Sequence, residues 1–295
     1  MPSFRSSRLP RGLRIALLLS PAAVVIGVFF LGGVAQAVAQ SFGYQPFLPG
    51  YQWSADAYAA IWRDPAVRGS LLITLRVSVL STVIAAALGV AGALAIRGVR
   101  RGRGWVTGLF QVNLAVPHLV GALCIVLLLG QSGIIARLAH SAGLSGSPAA
   151  FPQLTGDRFG WGIIAEYAWK ETPFVGIIAL AALGRGVAEL ENAARVLGAT
   201  RWQRLRHVTL PLLAPPVAAA SVLVFAFAAG SYEVPYLLGR PYPATLPVVA
   251  LQDYRDTDLS VRPQAMAVAV VITLLTTVLV IAYLALAKRL SGRAL

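Results

Sequence analysis

The stretch Glu189-Leu-Glu-Asn-Ala-Ala-Arg-Val-Leu-Gly198-Ala-Thr-Arg-Trp-Gln-Arg-Leu-Arg-His-Val-Thr-Leu-Pro211 decides how the rest of the chain is read, because it is a charged island between two apolar segments. Leu190, Ala193, Ala194 and Leu197 recur at i, i+3, i+4 and i+7, which puts small apolar side chains on one stripe of a short helix. Gly198 stands where a helix takes a left-handed C′ residue. A second run, Arg201 to Val208, carries Trp202 and Leu205 three apart, and Pro211 has the fixed φ and missing N–H suited to opening a new helix. The spacing predicts a helix–turn–helix at a membrane surface. Its apolar stripe reads as a docking face, or as a basic amphipathic loop resting on anionic headgroups.

Working outward, the 295 residues are 57% hydrophobic and 12% charged, against about 25% charged in an ordinary soluble domain. Six apolar stretches approach the ~20 residues that cross a bilayer: Ile15 to Val38, Leu71 to Ala95, Trp105 to Leu129, Gly162 to Leu183, Pro216 to Tyr236 and Ala265 to Ala287. The expected fold class is therefore all-α, a polytopic membrane helix bundle with no separate soluble domain.

The net charge of +14 is distributed by loop rather than by patch. Arg5, Arg8, Arg11 and Arg14 precede the first span; Arg97, Arg100, Arg101 and Arg103 separate the second and third. Arg185, Arg195, Arg201, Arg204 and Arg206 separate the fourth and fifth, and Lys288, Arg289 and Arg293 follow the sixth. The alternate loops hold Asp56, Asp64, Asp157, Asp253, Asp256 and Asp258. This alternation predicts cytoplasmic termini and a cytoplasmic docking loop, and it argues against nucleic acid as a partner. The four leading arginines, an apolar run and Ala37-Val38-Ala39 imitate a secretory signal, but the run exceeds the ~7–15 residues of a signal core, so an uncleaved first span is expected.

Polar residues inside the spans are the other candidates. The third span holds Gln111, Asn113, Pro117 and His118, and its Cys124, the only cysteine, is expected to be a packing residue. The fourth holds Glu166, Lys170 and Glu171 ahead of Pro173; Glu166 and Lys170 are i, i+4 and can pair. Ionisable groups within a span mark a pathway or gate by default, with a self-neutralised cluster at the outer interface as the alternative. Glu233, in Gly230-Ser-Tyr-Glu-Val-Pro235, lies where Gly and Pro interrupt the end of the fifth span, the kind of irregular backbone that borders a cavity. Alanines and glycines after Ser81, among them Ala85, Gly89 and Ala93, predict that the second span packs closely against protein. Arg76 is expected to reach toward headgroups.

The docking stretch resembles that of the permease subunits of binding-protein-dependent ABC importers of the type I fold. Their loop reads Glu-Ala-Ala, three residues, Gly, then about a dozen residues to Leu-Pro; here it is Asn192-Ala193-Ala194, three residues, Gly198, then Leu210-Pro211. The resemblance implies that Glu189, Glu191, Asn192, Ala193, Ala194, Leu197, Gly198, Leu210 and Pro211 form the coupling segment that enters a groove of a cytoplasmic ATPase. Asn192 replaces the usual acid, which removes a carboxylate at that position, although Glu189 and Glu191 lie within a turn. The phrase Ser70-Leu-Leu-Ile-Thr-Leu75 resembles the opening of the family core, dividing the chain into residues 1–69, a first helix with an external segment, and 70–295, the permease core. Trp169-Lys-Glu-Thr-Pro173 and Ser231-Tyr-Glu-Val-Pro235 resemble the branch that includes polyamine permeases. The implied partners are two ATPase subunits, a second permease subunit (identical or paralogous), an extracytoplasmic solute-binding protein and membrane lipid, in a bacterial inner membrane. Apart from the resemblance, the polar residues within the spans give the path or gate candidates Glu166, Lys170, Glu171, Glu233 and His118.

Other classes fare less well. A P-loop needs Gly-Lys-Ser/Thr, whereas the only lysines are Lys170, after Trp169, and Lys288, after Ala287. No cofactor is therefore expected on this chain, with ATP and Mg held by the partner ATPase. A secondary, proton-coupled carrier would use Glu166, Lys170, Glu171 and Glu233 as a relay, but such carriers often have more spans. A membrane enzyme lacks an assembled catalytic set, since His118, His140 and His207 fall in different regions.

Overall fold

The computed structural model describes residues 10–46, 48 and 51–291, and every regular element in it is helical. Arg5, Arg8 and Arg293 lie outside the described residues. The first helix, α1 (Gly12–Ser41), passes through Pro21 and a π turn at Ile26–Leu31 without stopping. Its most apolar stretch has no residue buried within the chain. Its end is fastened by Ser41, whose hydroxyl is 2.7 Å from that of Tyr58 on the surface helix α2 (Asp56–Arg63).

The second span, α3 (Pro65–Gly98), starts five residues before Ser70 because Asp64 accepts a hydrogen bond from Ala66 N at 2.7 Å and Pro65 fills the first turn. Its 34 residues would measure about 51 Å, longer than the ~30 Å apolar layer, so the helix extends beyond the membrane. Its buried face is small and polar. Thr74, Ser78 and Thr82 donate to the carbonyls of Ser70, Thr74 and Ser78, and Thr74 also accepts from Leu246 N at 2.9 Å. Gly89 lets α3 approach α7 (Trp161–Ala182) closely: a Cβ there would meet Gly176 N and Thr172 O, both at 2.9 Å. Ala85 and Ala93 are buried on the same face, as the small-residue pattern predicts.

The third apolar stretch is not one helix. It runs as α4 (Arg103–Gln111), a 3-10 turn at Val112–Ala115, extended backbone at Val116 and Pro117, and α5 (His118–Leu129). Pro117 lacks an N–H and displaces Val116 from the helical region, so the span breaks where the sequence reading drew it continuous. After the turn at Gln131-Ser-Gly133 comes α6 (Ile134–Ser141), a helix inside what was expected to be loop. Cys124 is exposed on the flank of α5, not packed. Arg76 is also placed differently: it donates to the Arg158 carbonyl at 2.8 Å and lies over the Phe159 ring, tying α3 to the loop before α7.

Asp157 caps α7 by accepting from the N–H groups of Phe159, Gly160 and Trp161. A bend of 63° separates α7 from α8 (Arg185–Val196). A turn at Gly198 leads into α9 (Arg201–Gly230), which is continuous through a π turn at Leu205–Thr209. Pro211 therefore lies inside a helix and opens none; the π turn just before it accommodates the missing N–H. Beyond α9 come α10 (Glu233–Leu238), α11 (Leu246–Tyr254) and the last span, α12 (Arg262–Ser291). Among the described residues five helical segments are long and apolar enough to cross a bilayer, α5 and α6 being counted together as His118–Ser141, and a sixth crossing is counted if the bent pair α7 and α8 is one span.

The main core joins α3, α5, α7 and α10 through Val77, Ala122, Ile125, Ile163, Tyr167 and Val234. A second cluster, Ala93, Ala179, Leu183, Val187 and Leu213, lies at the other end of the bundle and seats the root of α8 on α3, α7 and α9.

Candidate functional site

The helix α8 ends as its sequence predicts. Gly198 has φ +86°, Ala199 N donates to Ala194 O at 3.0 Å, and Gly198 N donates to Arg195 O at 3.0 Å. These two bonds satisfy carbonyls that the helix end would leave open. The next helix begins with a capping box that the sequence reading did not use: Thr200 Oγ accepts from Gln203 N, and the Gln203 amide oxygen accepts from Thr200 N. The Thr200-x-x-Gln203 spacing was the signal for it.

The predicted stripe projects away from the bundle. Leu190 is 52% exposed and Leu197 87%, Ala193 is open, Ala194 is half-buried, and Val196 adds a further apolar side chain at 87%. Glu189 and Asn192 are exposed, and Asn192 accepts from Arg195 at 2.8 Å. Leu210 and Pro211 sit on α9, outside this short helix.

Glu191 turns the other way. Arg97 Nη1 and Nη2 donate to its two carboxylate oxygens at 2.9 and 2.7 Å, and the Thr209 hydroxyl donates to one of the same oxygens. Partial burial opposes its charge, but the bonds from Arg97 and Thr209 and the charges of Arg97 and Arg204 hold its carboxyl below the usual carboxylate range. Glu191 is thus turned into the bundle, a correction to its placement beside the stripe residues.

A second polar centre lies within the spans. His118 opens α5 immediately after the break, where its ring stands between two carboxylates: Nδ1 is 3.2 Å from Glu166 Oε1 and Nε2 is 3.5 Å from Glu171 Oε1. Phe227 and Tyr167 flank the ring, with centroids at 4.7 and 6.2 Å. Glu166 is fully buried, and its Oε2 has no hydrogen-bond partner among the described residues. At 1.5 Å per residue, Glu166 lies about 7 Å and Glu171 about 15 Å along a helix of about 33 Å. Glu171 is therefore near the middle of α7 rather than at its end.

The predicted Glu166–Lys170 pair does not form. Lys170, also buried, donates to the Asn113 carbonyl at 2.6 Å, and the Asn113 amide donates to the Trp169 carbonyl at 2.9 Å. Pro117 has no N–H to give the Asn113 carbonyl, which takes Val116 N at 3.1 Å and keeps room for the Lys170 ammonium, drawing it away from the carboxylate four residues back. Glu233 stands apart, exposed at the first turn of α10, where an acid also suits the helix dipole. Among the described residues, no group of three or more His, Cys, Asp or Glu is arranged to hold a metal ion.

The family model described as "Binding-protein-dependent transport system inner membrane component" matches residues 83–292, from the middle of α3 to the end of the chain's last helix. A probable molybdenum ABC transporter permease protein of Haloferax volcanii is 33% identical over 61% of this chain and 62% of its own length. A putative 2-aminoethylphosphonate transport system permease protein of Salmonella typhimurium is 28% identical over 76% of each chain. Among solved structures, a chain of a bacterial ABC transporter involved in the import of the acidic polysaccharide alginate superposes with a TM-score of 0.77 at 21% identity, covering 95% of this chain and 96% of that one. That likeness establishes the fold.

Proposed function

Because this chain belongs to the family of binding-protein-dependent transport system inner membrane components, we propose that it is the membrane-spanning permease subunit of an ATP-driven importer and that α8 is its coupling helix. The observation that carries the reading is the free stripe Leu190, Ala193, Ala194 and Leu197 on a helix anchored at its root by Val187 and closed by Gly198. A short helix with its back fixed and its apolar front open is suited to enter a groove on another protein. The partners in this reading are two ATPase subunits, a second permease subunit and an extracytoplasmic binding protein. Both chain termini and α8 face the cytoplasm of a bacterial inner membrane.

Transport then proceeds by alternating access: ATP binding draws the two coupling helices together and opens the outer side, and hydrolysis resets the bundle. The chain itself catalyses nothing. Replacing Ala194 by Arg tests the docking role, because the site is half-buried on α8 and outside the spans. The expected outcome is a folded bundle that no longer co-purifies with the ATPase; normal assembly and uptake in this variant would remove α8 from the interface.

For the solute, the first reading is a small cation such as a polyamine. It rests on the exposed Glu233, on Glu171 facing the polar centre from mid-span, and on the local resemblance to polyamine permeases. A second reading, an oxyanion, is favoured by the similarity to permeases named for molybdenum and 2-aminoethylphosphonate. Ligand identification on the binding protein that works with this permease separates them.

A further inference from the structure

Three side chains from three helices meet where α8 joins the bundle. Arg97 lies in the last turn of α3, Glu191 on α8, and Thr209, 1% exposed, at the end of the π turn in α9. Both carboxylate oxygens are engaged by the guanidinium at 2.7 and 2.9 Å, and the Thr209 hydroxyl takes one of them as well. A planar fork on a carboxylate fixes orientation as well as distance, which a lysine's point charge does not. Glu191 and the buried Val187 are four residues apart, so they share the face of α8 that looks into the bundle.

Neither covalent connection of α8 continues its helix. At one end the chain bends by 63° after α7; at the other it turns through a glycine with nothing within 4 Å of a built Cβ. The π turn at Leu205–Thr209 is a local irregularity in α9 as well, a form found mostly as a single turn inside a helix and often at functional sites. These joints give α8 no continuous helical path into either neighbouring span. The polar tie crosses from α8 to two spans at once, and it stands next to the apolar contacts of Val187 with Ala93, Ala179 and Leu213.

We propose that Arg97, Glu191 and Thr209 form a transmission clamp: positioning residues that make α3 and α9 move with α8 when the ATPase moves it. The proposal rests on the docking reading of α8 and deepens it, since Glu191 is drawn against the bundle while Leu190, Ala193 and Leu197 stay exposed, and the clamp acts after docking. With the clamp closed, motion of α8 reaches both spans. With it open, the ATPase remains docked and hydrolyses ATP, but the bundle follows poorly.

The test uses the whole complex, the permease with its ATPase and binding protein in lipid vesicles, and reads solute moved per ATP hydrolysed. Arg97→Gln should assemble with the ATPase and lower that ratio about tenfold, within the range of coupling between linked sites. Arg97→Lys should recover part of it, and Arg97→Glu combined with Glu191→Arg should exceed either single variant. Thr209→Val, which keeps the shape and removes the hydroxyl, carries the same test with a smaller loss if the charge variants do not reach the membrane. A wild-type ratio in assembled Arg97→Gln and Thr209→Val complexes overturns the clamp and leaves docking intact. Loss of the ATPase from a folded Arg97→Gln permease overturns it too, because Arg97 would then shape the docking surface itself. Ala194→Arg, run in parallel, fails separately: if it binds and couples the ATPase normally, the docking reading falls.

Discussion

Gly198 offers a way to perturb the docking helix through its closing turn, leaving the stripe Leu190, Ala193, Ala194 and Leu197 unchanged. Its φ of +86° lies in the left-handed region, and a Cβ built on it meets nothing within 4 Å. Within the chain, any effect of substitution is therefore conformational, not steric crowding. A side chain in the left-handed region costs roughly 1–2 kcal/mol, and a β-branched one such as Val sits at or above the upper end. Leaving that region would also break the bonds from Gly198 N to Arg195 O and from Ala199 N to Ala194 O, each contributing about 0.5–1.5 kcal/mol. The variant thus chooses between strain and a frayed end, and either reduces the population of the docked geometry about 5- to 30-fold. The assay is titration of purified permease with its ATPase, comparing Asn, Ala and Val at this position. Asn tolerates left-handed backbone, so the expected order of affinity is Gly, Asn, Ala, Val. Equal affinity for Asn and Val, or full affinity for Val, would refute the argument that this turn sets the docking geometry.

Three further outcomes are expected. Gly89→Ala should lower the thermal midpoint of the detergent-solubilised permease, because the new methyl would meet two backbone atoms at 2.9 Å and overpacking of this kind costs about 1–3 kcal/mol; Gly33→Ala, with open space around it, should not lower it. Cysteines introduced at Ser147 or Asp256 should react with an impermeant thiol reagent added outside intact cells and those at Gly102 or Gln203 should not; outside labelling at Gln203 would reverse the orientation. Glu233→Gln should reduce uptake of a cationic solute while leaving assembly of the complex unchanged, and unaltered uptake would leave Glu233 a residue of the helix start.

What was legible in the sequence and what was not separate along a physical line. The stripe of α8, the left-handed Gly198 and the small face of α3 were readable because each is set by near neighbours: helical period, one backbone angle, the absence of side-chain bulk. The break at Val116 and Pro117 was also local, and proline gave the signal, but the apolar run around it suggested a continuous span. The inward turn of Glu191 was not readable in the same way. Its partners Arg97 and Thr209 are 94 and 18 residues distant in sequence, and helical spacing within α8 does not specify which side chains from other helices will meet it. The Glu166–Lys170 pair failed for the complementary reason. Its i, i+4 spacing was right, but a carbonyl 57 residues away was the better-placed acceptor.

That exchange of partners bears on what the intramembrane charges do. A charge left unpaired at mid-membrane costs about 2.5–3.5 kcal/mol even on insertion scales, so the distribution of partners decides which charges remain for a solute. Lys170 is committed to closing the broken third span at Asn113 O, and Glu166 is sealed against His118 with no exposed surface. Both therefore staple α7 to the segment around the break. Glu171 shares His118 from the other side and keeps 13% of its side-chain surface open, while Glu233 is free of any ion pair among the described residues. Of the five residues first grouped as path or gate candidates, Glu166, Lys170 and His118 are engaged within the bundle, and Glu171 and Glu233 keep exposed surface. A solute that depends on acidic guidance must then respond to Glu171 and Glu233, whereas altering Lys170 would first disturb the break in the third span.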